Sequence, residues 1–180
     1  SERYLHYIIE QAEARDMPLE LALLPIVESA FDPFAYPPGR AAGPWQFIPS
    51  TGDYFGMKRT WWQDQRRDIL KSTNAALDYL QQLSDRFEGD WLLALASYNA
   101  GGGTVSRAIR RNEEAGRPTD FWHLDLPRET TAYVPKLLAI AQIVKNMVVA
   151  LEQRLDSTPF FPALQHPRNA REQPERRHGR

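Results

Sequence analysis

The sequence predicts an all-α fold with at most a minor β element. Apolar residues recur at spacings of three and four along several segments, and no segment shows the period-two alternation of a half-buried strand. With 180 residues and 42% hydrophobic content, the chain is long enough for one well-packed domain and too short for two. We therefore expect one helical domain at residues 1–155, followed by a C-terminal arm and a disordered basic tail at residues 156–180.

The individual helices are predicted from apolar periodicity and from residues that cap helices. Asp16 is expected to cap the second helix and Asp90 the fifth. Either Ser72 or Thr73 is expected to cap the fourth. The predicted helical segments are residues 2–15, 16–28, a short helix within 46–55, 72–87, 91–98, a helix from about 104, a short piece at 128–133, and a long last helix at 135–154.

Charge and residue content argue against several classes of protein. The formal net charge of −1 gives no electrostatic reason to expect a nucleic-acid partner. Cysteine is absent and the histidines lack metal-binding spacing, so we expect neither a metal site nor a cofactor. The longest apolar segment, residues 134–151, is interrupted by polar and charged side chains, which favours a packed helix over a membrane span.

Glu28 is the candidate catalytic residue. It directly follows an apolar run from Leu24 to Val27, where a carboxylate is poorly solvated and its pKa should rise. A raised pKa is what a general acid needs near neutral pH. The Pro- and Gly-rich segment 32–43 that follows has the composition of a loop at the edge of a cleft. The alternative is an ordinary glutamate at the end of a helix.

Further polar and aromatic side chains could line such a cleft. Tyr98 and Asn99 end an apolar helix just before three glycines, where they could contact a ligand or simply form a helix C-cap. Glu129 and Tyr133 lie in a segment that, by itself, is the start of an amphipathic helix. Trp45 is a candidate to stack on a ligand, with packing in the core as the equal alternative.

These motifs, in this order, are similar to those of one enzyme family. They are Glu28-Ser29, Ala42-Gly43-Pro44-Trp45-Gln46, Ser97-Tyr98-Asn99-Ala100-Gly101, and Glu129-Thr130 with Tyr133-Val134. The chain resembles the lytic transglycosylases whose catalytic (SLT) domain is similar to goose-type lysozyme. The resemblance covers roughly residues 1–147 and rests on four motifs in register. The sequence departs from the usual pattern at Ala42, Pro44-Trp45 and Ser97.

The resemblance implies a lysozyme-like helical enzyme with a substrate groove. The family cleaves the β-1,4 bond between N-acetylmuramic acid and N-acetylglucosamine in peptidoglycan without water and leaves a 1,6-anhydromuramoyl end. Glu28 matches the single glutamate that acts first as acid and then as base. The matched substrate-binding positions are Ser29, Gln46, Tyr98, Asn99, Glu129 and Tyr133. The implied protein is a cofactor-free monomer that acts on glycan strands in the periplasm of the bacterial cell envelope.

Two other functions stay open at this point. A hydrolytic muramidase of the lysozyme type would need a second carboxylate opposite Glu28. The nearest candidates in sequence are Asp32, Asp53, Asp64 and Asp68, and none has the apolar setting of Glu28. A non-catalytic peptidoglycan-binding module would use the same groove without cutting the glycan.

Overall fold

The structure, a computed structural model, describes residues 2–34 and 41–157. Within these ranges the α-helices are α1 (Glu2–Glu13), α2 (Leu24–Ser29), α3 (Pro49–Tyr54), α4 (Ile69–Arg86), α5 (Trp91–Ala100), α6 (Gly102–Glu114) and α7 (Arg128–Ser157). Short 3₁₀ helices cover Leu19–Leu23, Gln65–Arg67 and Phe121–His123. The described residues contain isolated β-bridges but no strand. The predicted all-α fold with a minor β element is therefore confirmed.

The chain divides into two units after Gln142. The first, residues 1–142, contains α1 to α6 and the beginning of α7. The described part of the second unit, residues 143–157, is helical. The predicted arm and tail at 156–180 lie almost wholly outside the described residues, so the boundary at residue 155 stays a prediction.

The core of the first unit forms where α5 packs against both α4 and α6. α5 is apolar on nearly every side, and its residues from Leu93 to Ser97 are all buried. On α4, Leu77 and Leu80 are fully buried. This packing fixes the C-terminal end of α5, where the Tyr98 and Asn99 side chains emerge.

The helix boundaries confirm one predicted cap and overturn another. Asp90 caps α5 as predicted, because its carboxylate accepts hydrogen bonds from the amides of Leu92 (2.9 Å) and Leu93 (3.0 Å). The prediction that Ser72 or Thr73 caps α4 is wrong. α4 begins at Ile69, and the Asp68 carboxylate caps it through the Lys71 amide at 3.1 Å.

The segment predicted as one helix from Asp16 to Glu28 is divided in two. Asp16 does not cap it; this residue lies in a turn with a φ of 52°. A 3₁₀ helix at Leu19–Leu23 precedes α2, and Pro25 lies in the first turn of α2. Proline is tolerated there because backbone amides in the first turn of a helix have no hydrogen-bond acceptor within the helix, so the missing N–H costs nothing.

α7 is one continuous helix, so the predicted separation into pieces at 128–133 and 135–154 is wrong. Pro135 lies inside it. Val134 and Leu137 are fully buried on either side of the proline, and this packing offsets the hydrogen bond that proline cannot make.

α7 also contains an apolar stretch of membrane-spanning length. Residues Arg128–Gln153 are long and apolar enough to cross a bilayer, judged by length and composition alone. Core helices of soluble proteins share both properties. The predicted absence of a membrane-spanning segment therefore stays a prediction.

The cap on α5 gives a first test of the fold. We expect Asp90→Ala to lower the free energy of unfolding by about 1 kcal/mol, because two amides in the first turn lose their partner. Urea denaturation measures the change. Asp90→Asn is the matched control, since its side-chain oxygen still accepts from the same amides and the loss should be smaller. Equal losses in both variants would show that the hydrogen bonds of the cap are not the cause.

Candidate active site

A cavity of about 800 Å³ lies in the first unit, at the ends of three helices. α2 contributes its last turn, α5 its C-terminal end and α7 its first turns, while the segment 41–48 forms a further wall. This volume is in the range of natural ligand-binding sites. The predicted site residues that line the cavity are Glu28, Gln46, Tyr98, Asn99, Glu129 and Tyr133.

Glu28 reaches the cavity because α2 ends at the next residue, Ser29. Ala30 adopts a left-handed conformation with a φ of 52°, and its amide donates to the Ile26 carbonyl at 3.1 Å. The Phe31 amide reaches back to the Pro25 carbonyl at 3.0 Å, which completes the helix C-cap. Glu28 therefore lies in the last turn of α2, at the edge of the open space.

Burial raises the pKa of Glu28 from its ordinary value of 4.5 to about 7. The hydrogen bond from Tyr133 opposes this rise, the negative charge of Glu129 adds to it, and the positive charge of Lys136 opposes it. Glu28 therefore exchanges its proton near neutral pH, as predicted from the apolar run before it. Such a carboxyl group can give a proton as an acid and take one back as a base.

Tyr133 is the hydrogen-bond partner of Glu28. Its hydroxyl donates to Oε1 of the carboxyl group, across 105 residues of sequence. Burial and the neighbouring charge of Glu28 raise the pKa of Tyr133 well above its ordinary value, so the phenol keeps its proton and acts as a donor. Tyr133 thereby orients the carboxyl group through Oε1, and Oε2 of Glu28 takes no part in this hydrogen bond.

Tyr98 forms part of the wall and holds the segment 41–48 in place. Its hydroxyl donates to the Trp45 carbonyl at 2.8 Å. Its ring lies edge-on to Phe47, with 6.3 Å between the centroids, and 5.5 Å from the ring centroid of Tyr79. Burial raises the pKa of Tyr98 well above its ordinary value, so this phenol also stays a donor. The ring, rather than the hydroxyl, is the part available to a ligand.

Asn99 and Glu129 lie together where the C-terminal end of α5 meets the first turn of α7. The Thr130 hydroxyl donates to Oδ1 of Asn99 at 2.7 Å, which fixes the orientation of the amide. The Asn99 Nδ2 then lies 3.5 Å from Oε1 of Glu129. The amide and the carboxylate thus present a fixed polar pair to the cavity.

Gln46 lines the cavity, whereas the neighbouring Trp45 does not. Nε2 of Gln46 donates to the Gly43 carbonyl at 2.8 Å. The stacking interpretation of Trp45 is wrong, because its side chain is 0% exposed. Its Nε1 donates to the Thr73 hydroxyl at 3.1 Å, inside the core. Trp45 therefore anchors the wall from behind.

Ser29 also has a supporting position. Its hydroxyl lies 3.0 Å from the Pro44 carbonyl and 3.2 Å from the Pro25 carbonyl, and it does not line the cavity. This contact ties α2 to the cavity wall, and the expected substrate contact of Ser29 stays a prediction.

A buried arginine that the sequence analysis missed supports the same wall. Arg66 is 2% exposed and pairs with the Asp64 carboxylate at 2.6 Å, and the guanidinium donates to the Phe47 carbonyl at 2.8 Å. Its own backbone touches Gly43: a Cβ at Gly43 would lie 1.9 Å from the Arg66 carbonyl oxygen. In sequence, Arg66 lies in a charged run that is typical of a solvated surface.

The four aspartates considered as a second carboxylate do not line the cavity. Asp53 pairs with Arg59, Asp64 with Arg66, and Asp68 caps α4. Asp32 accepts from the Phe34 amide at 2.8 Å. The second carboxylate among the described lining residues is Glu129.

Metal chemistry has no evident site in residues 2–34 and 41–157. These ranges contain no group of three or more His, Cys, Asp or Glu side chains that could hold a metal ion.

Comparison with known proteins identifies the family. Residues 6–121 match the Transglycosylase SLT domain. This match covers more than half of the chain, and the chain therefore belongs to the SLT transglycosylase family.

Individual relatives agree with this assignment. The chain is 54% identical over 146 residues to membrane-bound lytic murein transglycosylase D of Escherichia coli strains K12 and O6:H1, a match that covers 81% of this chain and 32% of each relative. It thus spans about a third of the length of these curated relatives. An X-ray structure of an inactive glutamate-to-glutamine mutant of lytic transglycosylase Slt from Pseudomonas aeruginosa matches with a TM-score of 0.57 and 27% identity, over 79% of this chain and 24% of that one. The family and the lysozyme-like fold predicted from the motifs are confirmed.

The pKa of Glu28 makes the stability of the domain depend on pH. Folded Glu28 holds its proton until about pH 7, whereas unfolded Glu28 loses it near pH 4.5, so rising pH favours the unfolded chain between these values. From about pH 4 to about pH 8, the free energy of unfolding should fall by about 3 kcal/mol more in the parent than in Glu28→Gln. Urea denaturation at a series of pH values measures both curves. Parallel curves would contradict the raised pKa.

The contact of Gly43 with Arg66 predicts a costly substitution. Gly43→Ala should lower the free energy of unfolding by about 2 kcal/mol or more, because the new Cβ meets the Arg66 carbonyl and the φ of 79° disfavours an L-residue. Gly56→Ala is the matched control, with a φ of 70° and no atom within 4 Å of the new Cβ. That variant should lose only about 1 kcal/mol. Similar denaturation midpoints for the two variants would exclude the clash.

Proposed function

We propose that this domain is a peptidoglycan lytic transglycosylase that cuts the β-1,4 bond between N-acetylmuramic acid and N-acetylglucosamine and leaves a 1,6-anhydromuramoyl end. The observation that carries the proposal is Glu28: a carboxyl group with a pKa of about 7, in a cavity wall, held by a protonated tyrosine. Membership of the SLT family supports it.

Glu28 performs both proton transfers in the proposed reaction. Protonated Glu28 first gives its proton to the glycosidic oxygen, and the bond from that oxygen to the muramoyl C1 breaks. The resulting carboxylate then takes the proton of the muramoyl 6-hydroxyl as this oxygen bonds to C1. The proton is thus returned to Glu28, and no water is consumed. No second carboxylate is needed to position a water molecule, because the nucleophile is a hydroxyl of the reacting sugar itself.

Tyr133 prepares Glu28 for the first step. Its hydroxyl occupies Oε1 as a donor, so the transferable proton resides on Oε2. The same hydrogen bond stabilises the carboxylate that forms after proton transfer. Tyr133 is therefore proposed as the residue that fixes which oxygen reacts.

Gln46, Asn99 and Glu129 are the proposed polar contacts to the sugars on either side of the cut. All three line the cavity, and two are fixed by bonds to neighbouring groups: Gln46 to the Gly43 carbonyl and Asn99 to Thr130. Fixed donors and acceptors lose little entropy when a ligand binds. The ring of Tyr98 supplies an apolar surface beside them.

Hydrolysis of the same bond is the second candidate, and Glu129 is the observation that favours it. A hydrolase needs a second carboxylate to activate water or to act as nucleophile. Glu129 lines the same cavity as Glu28 and is exposed to solvent. The two candidates differ in product: an anhydro end is lighter than a reducing end by one water.

The domain is proposed to act on glycan strands in the cell envelope, on the periplasmic side, as a monomer without a cofactor. Its relatives named membrane-bound lytic murein transglycosylase support an envelope location. Glycan strands of sacculi are therefore the substrate for the tests.

Two variants test the proposal on purified sacculi. Glu28→Gln should fold and bind sacculi but release soluble muropeptides at least about a hundredfold more slowly, because the general acid is lost. Glu129→Gln should still give only anhydro ends, read by mass spectrometry. Cleavage by Glu28→Gln at the parental rate would refute the catalytic assignment. Reducing ends that disappear with Glu129→Gln would identify a hydrolase, and binding without any soluble product would identify a non-catalytic module.

A further inference from the structure

Trp61 and Trp62 are two large aromatic side chains that are exposed to solvent in the folded chain. Trp61 is 91% exposed and Trp62 is 68% exposed. Their ring centroids lie 5.0 Å apart at an interplanar angle of 84°, an edge-to-face pair. Burial of such side chains normally contributes to stability, so their exposure indicates a contact outside the folded chain.

The pair occupies the tip of a tight turn. The Thr60 amide donates to the Gln63 carbonyl at 2.7 Å, and the Gln63 amide donates back to the Thr60 hydroxyl at 3.1 Å. Trp61 and Trp62 are the two central residues of this turn, where Gly, Asn, Asp and Pro are the usual choices. The turn thus presents two indoles at positions that local conformation does not favour for tryptophan.

The two sides of the turn are joined below the tip, so the tip is fixed. Arg59 and Asp64 form an isolated antiparallel bridge. One step further down, the Gln65 amide donates to the Lys58 carbonyl at 3.1 Å, and the Lys58 amide donates to the Gln65 side chain at 2.8 Å. We call residues 58–65 the tryptophan hairpin.

The tryptophan hairpin is attached to the wall of the active-site cavity at both of its ends. Arg59 pairs with both carboxylate oxygens of Asp53 in α3, at 3.2 and 2.8 Å, and α3 also carries the cavity residue Thr51. Beyond the other end, Arg66 donates to the carbonyl of Phe47, another cavity residue. From chain and side-chain lengths, the tip lies within about 25 Å of Thr51.

We propose that Trp61 and Trp62 form an accessory platform for a peptidoglycan strand that extends beyond the cavity. The proposal rests on the proposed function, because a polymeric substrate that enters the cavity must continue past its wall. One face of a pyranose ring carries C–H groups that pack on the electron-rich face of an indole. Each indole N–H can also donate to a sugar hydroxyl or acetamido oxygen.

Polarity favours a glycan over a lipid surface. Lys58 is exposed at the base of the hairpin, and its positive charge complements the carboxylates of peptidoglycan stem peptides as it would anionic lipid headgroups, so the choice rests on the other side chains of the tip. The remaining tip residues, Thr60 and Gln63, are polar. Segments that insert into a bilayer surface bury a broader apolar face.

Binding to sacculi gives the direct test, with the full chain carrying Glu28→Gln so that the substrate is not consumed. Co-sedimentation measures the dissociation constant with and without the double substitution Trp61→Ala, Trp62→Ala. The double variant should bind about tenfold more weakly. Trp122→Ala is the matched control, because Trp122 is 60% exposed, packs edge-on against Phe121 and does not line the cavity. The control should bind like the parent.

Turnover with Glu28 intact separates the platform from the cavity. The double variant should cleave the shortest soluble glycan fragment that the parent cleaves at the parental kcat/KM, and long strands with a raised KM. An equal loss of kcat/KM by the double variant on short and long glycans, or binding of the double variant to sacculi at the parental affinity, would overturn the platform. The proposal would also be overturned if the parent sedimented with phosphatidylglycerol–phosphatidylethanolamine vesicles, the double variant did not, and both bound sacculi equally. That result would assign the hairpin to a membrane. Absence of soluble product from the parent would refute the proposed function, while the sacculus-binding comparison would still test the platform.

Discussion

The hydrogen bond between Tyr133 and Glu28 is the interaction on which the site depends. It joins the last turn of α2 to the beginning of α7 and holds a carboxyl group at the boundary between the core and the cavity. Burial drives the pKa of Glu28 up and the tyrosine limits the rise, so the balance lies near neutrality. The reaction proposed for this site requires this balance, since a carboxyl group fixed in either protonation state could perform only one of the two proton transfers.

The cavity wall formed by the segment 41–48 is held through its backbone. Side chains from three separate elements reach its carbonyls: Ser29 approaches Pro44, Tyr98 donates to Trp45, and Arg66 donates to Phe47. Donors in the scaffold thus position the wall, and backbone carbonyls provide the attachment points. An irregular segment gains the rigidity that a binding surface needs without belonging to a helix or a sheet.

Features that depend on neighbouring residues in the chain could be predicted from the sequence. An apolar run before Glu28 indicated burial and a raised pKa, and residue type identified the cap at Asp90, although the same reasoning failed at Asp16 and at Ser72 or Thr73. The failure at Trp45 has another cause. Whether a loop side chain faces a ligand or the core depends on partners distant in sequence, here Thr73 for Trp45. Likewise, a charged run gives no indication that one of its arginines is buried.

The bond between Trp45 and Thr73 constrains how this family can vary. Replacing Thr73 by an apolar residue first would strand a buried indole N–H, which costs about 1–3 kcal/mol. Replacing Trp45 by a smaller residue leaves a hydroxyl that can turn to a carbonyl of its own helix, but it also leaves a cavity in the core, where Trp45 is fully buried. The indole and the hydroxyl are therefore expected to be retained together. Alignments of relatives should accordingly show covariation of positions 45 and 73, in which Trp45 without a hydroxyl at 73 is the rare combination.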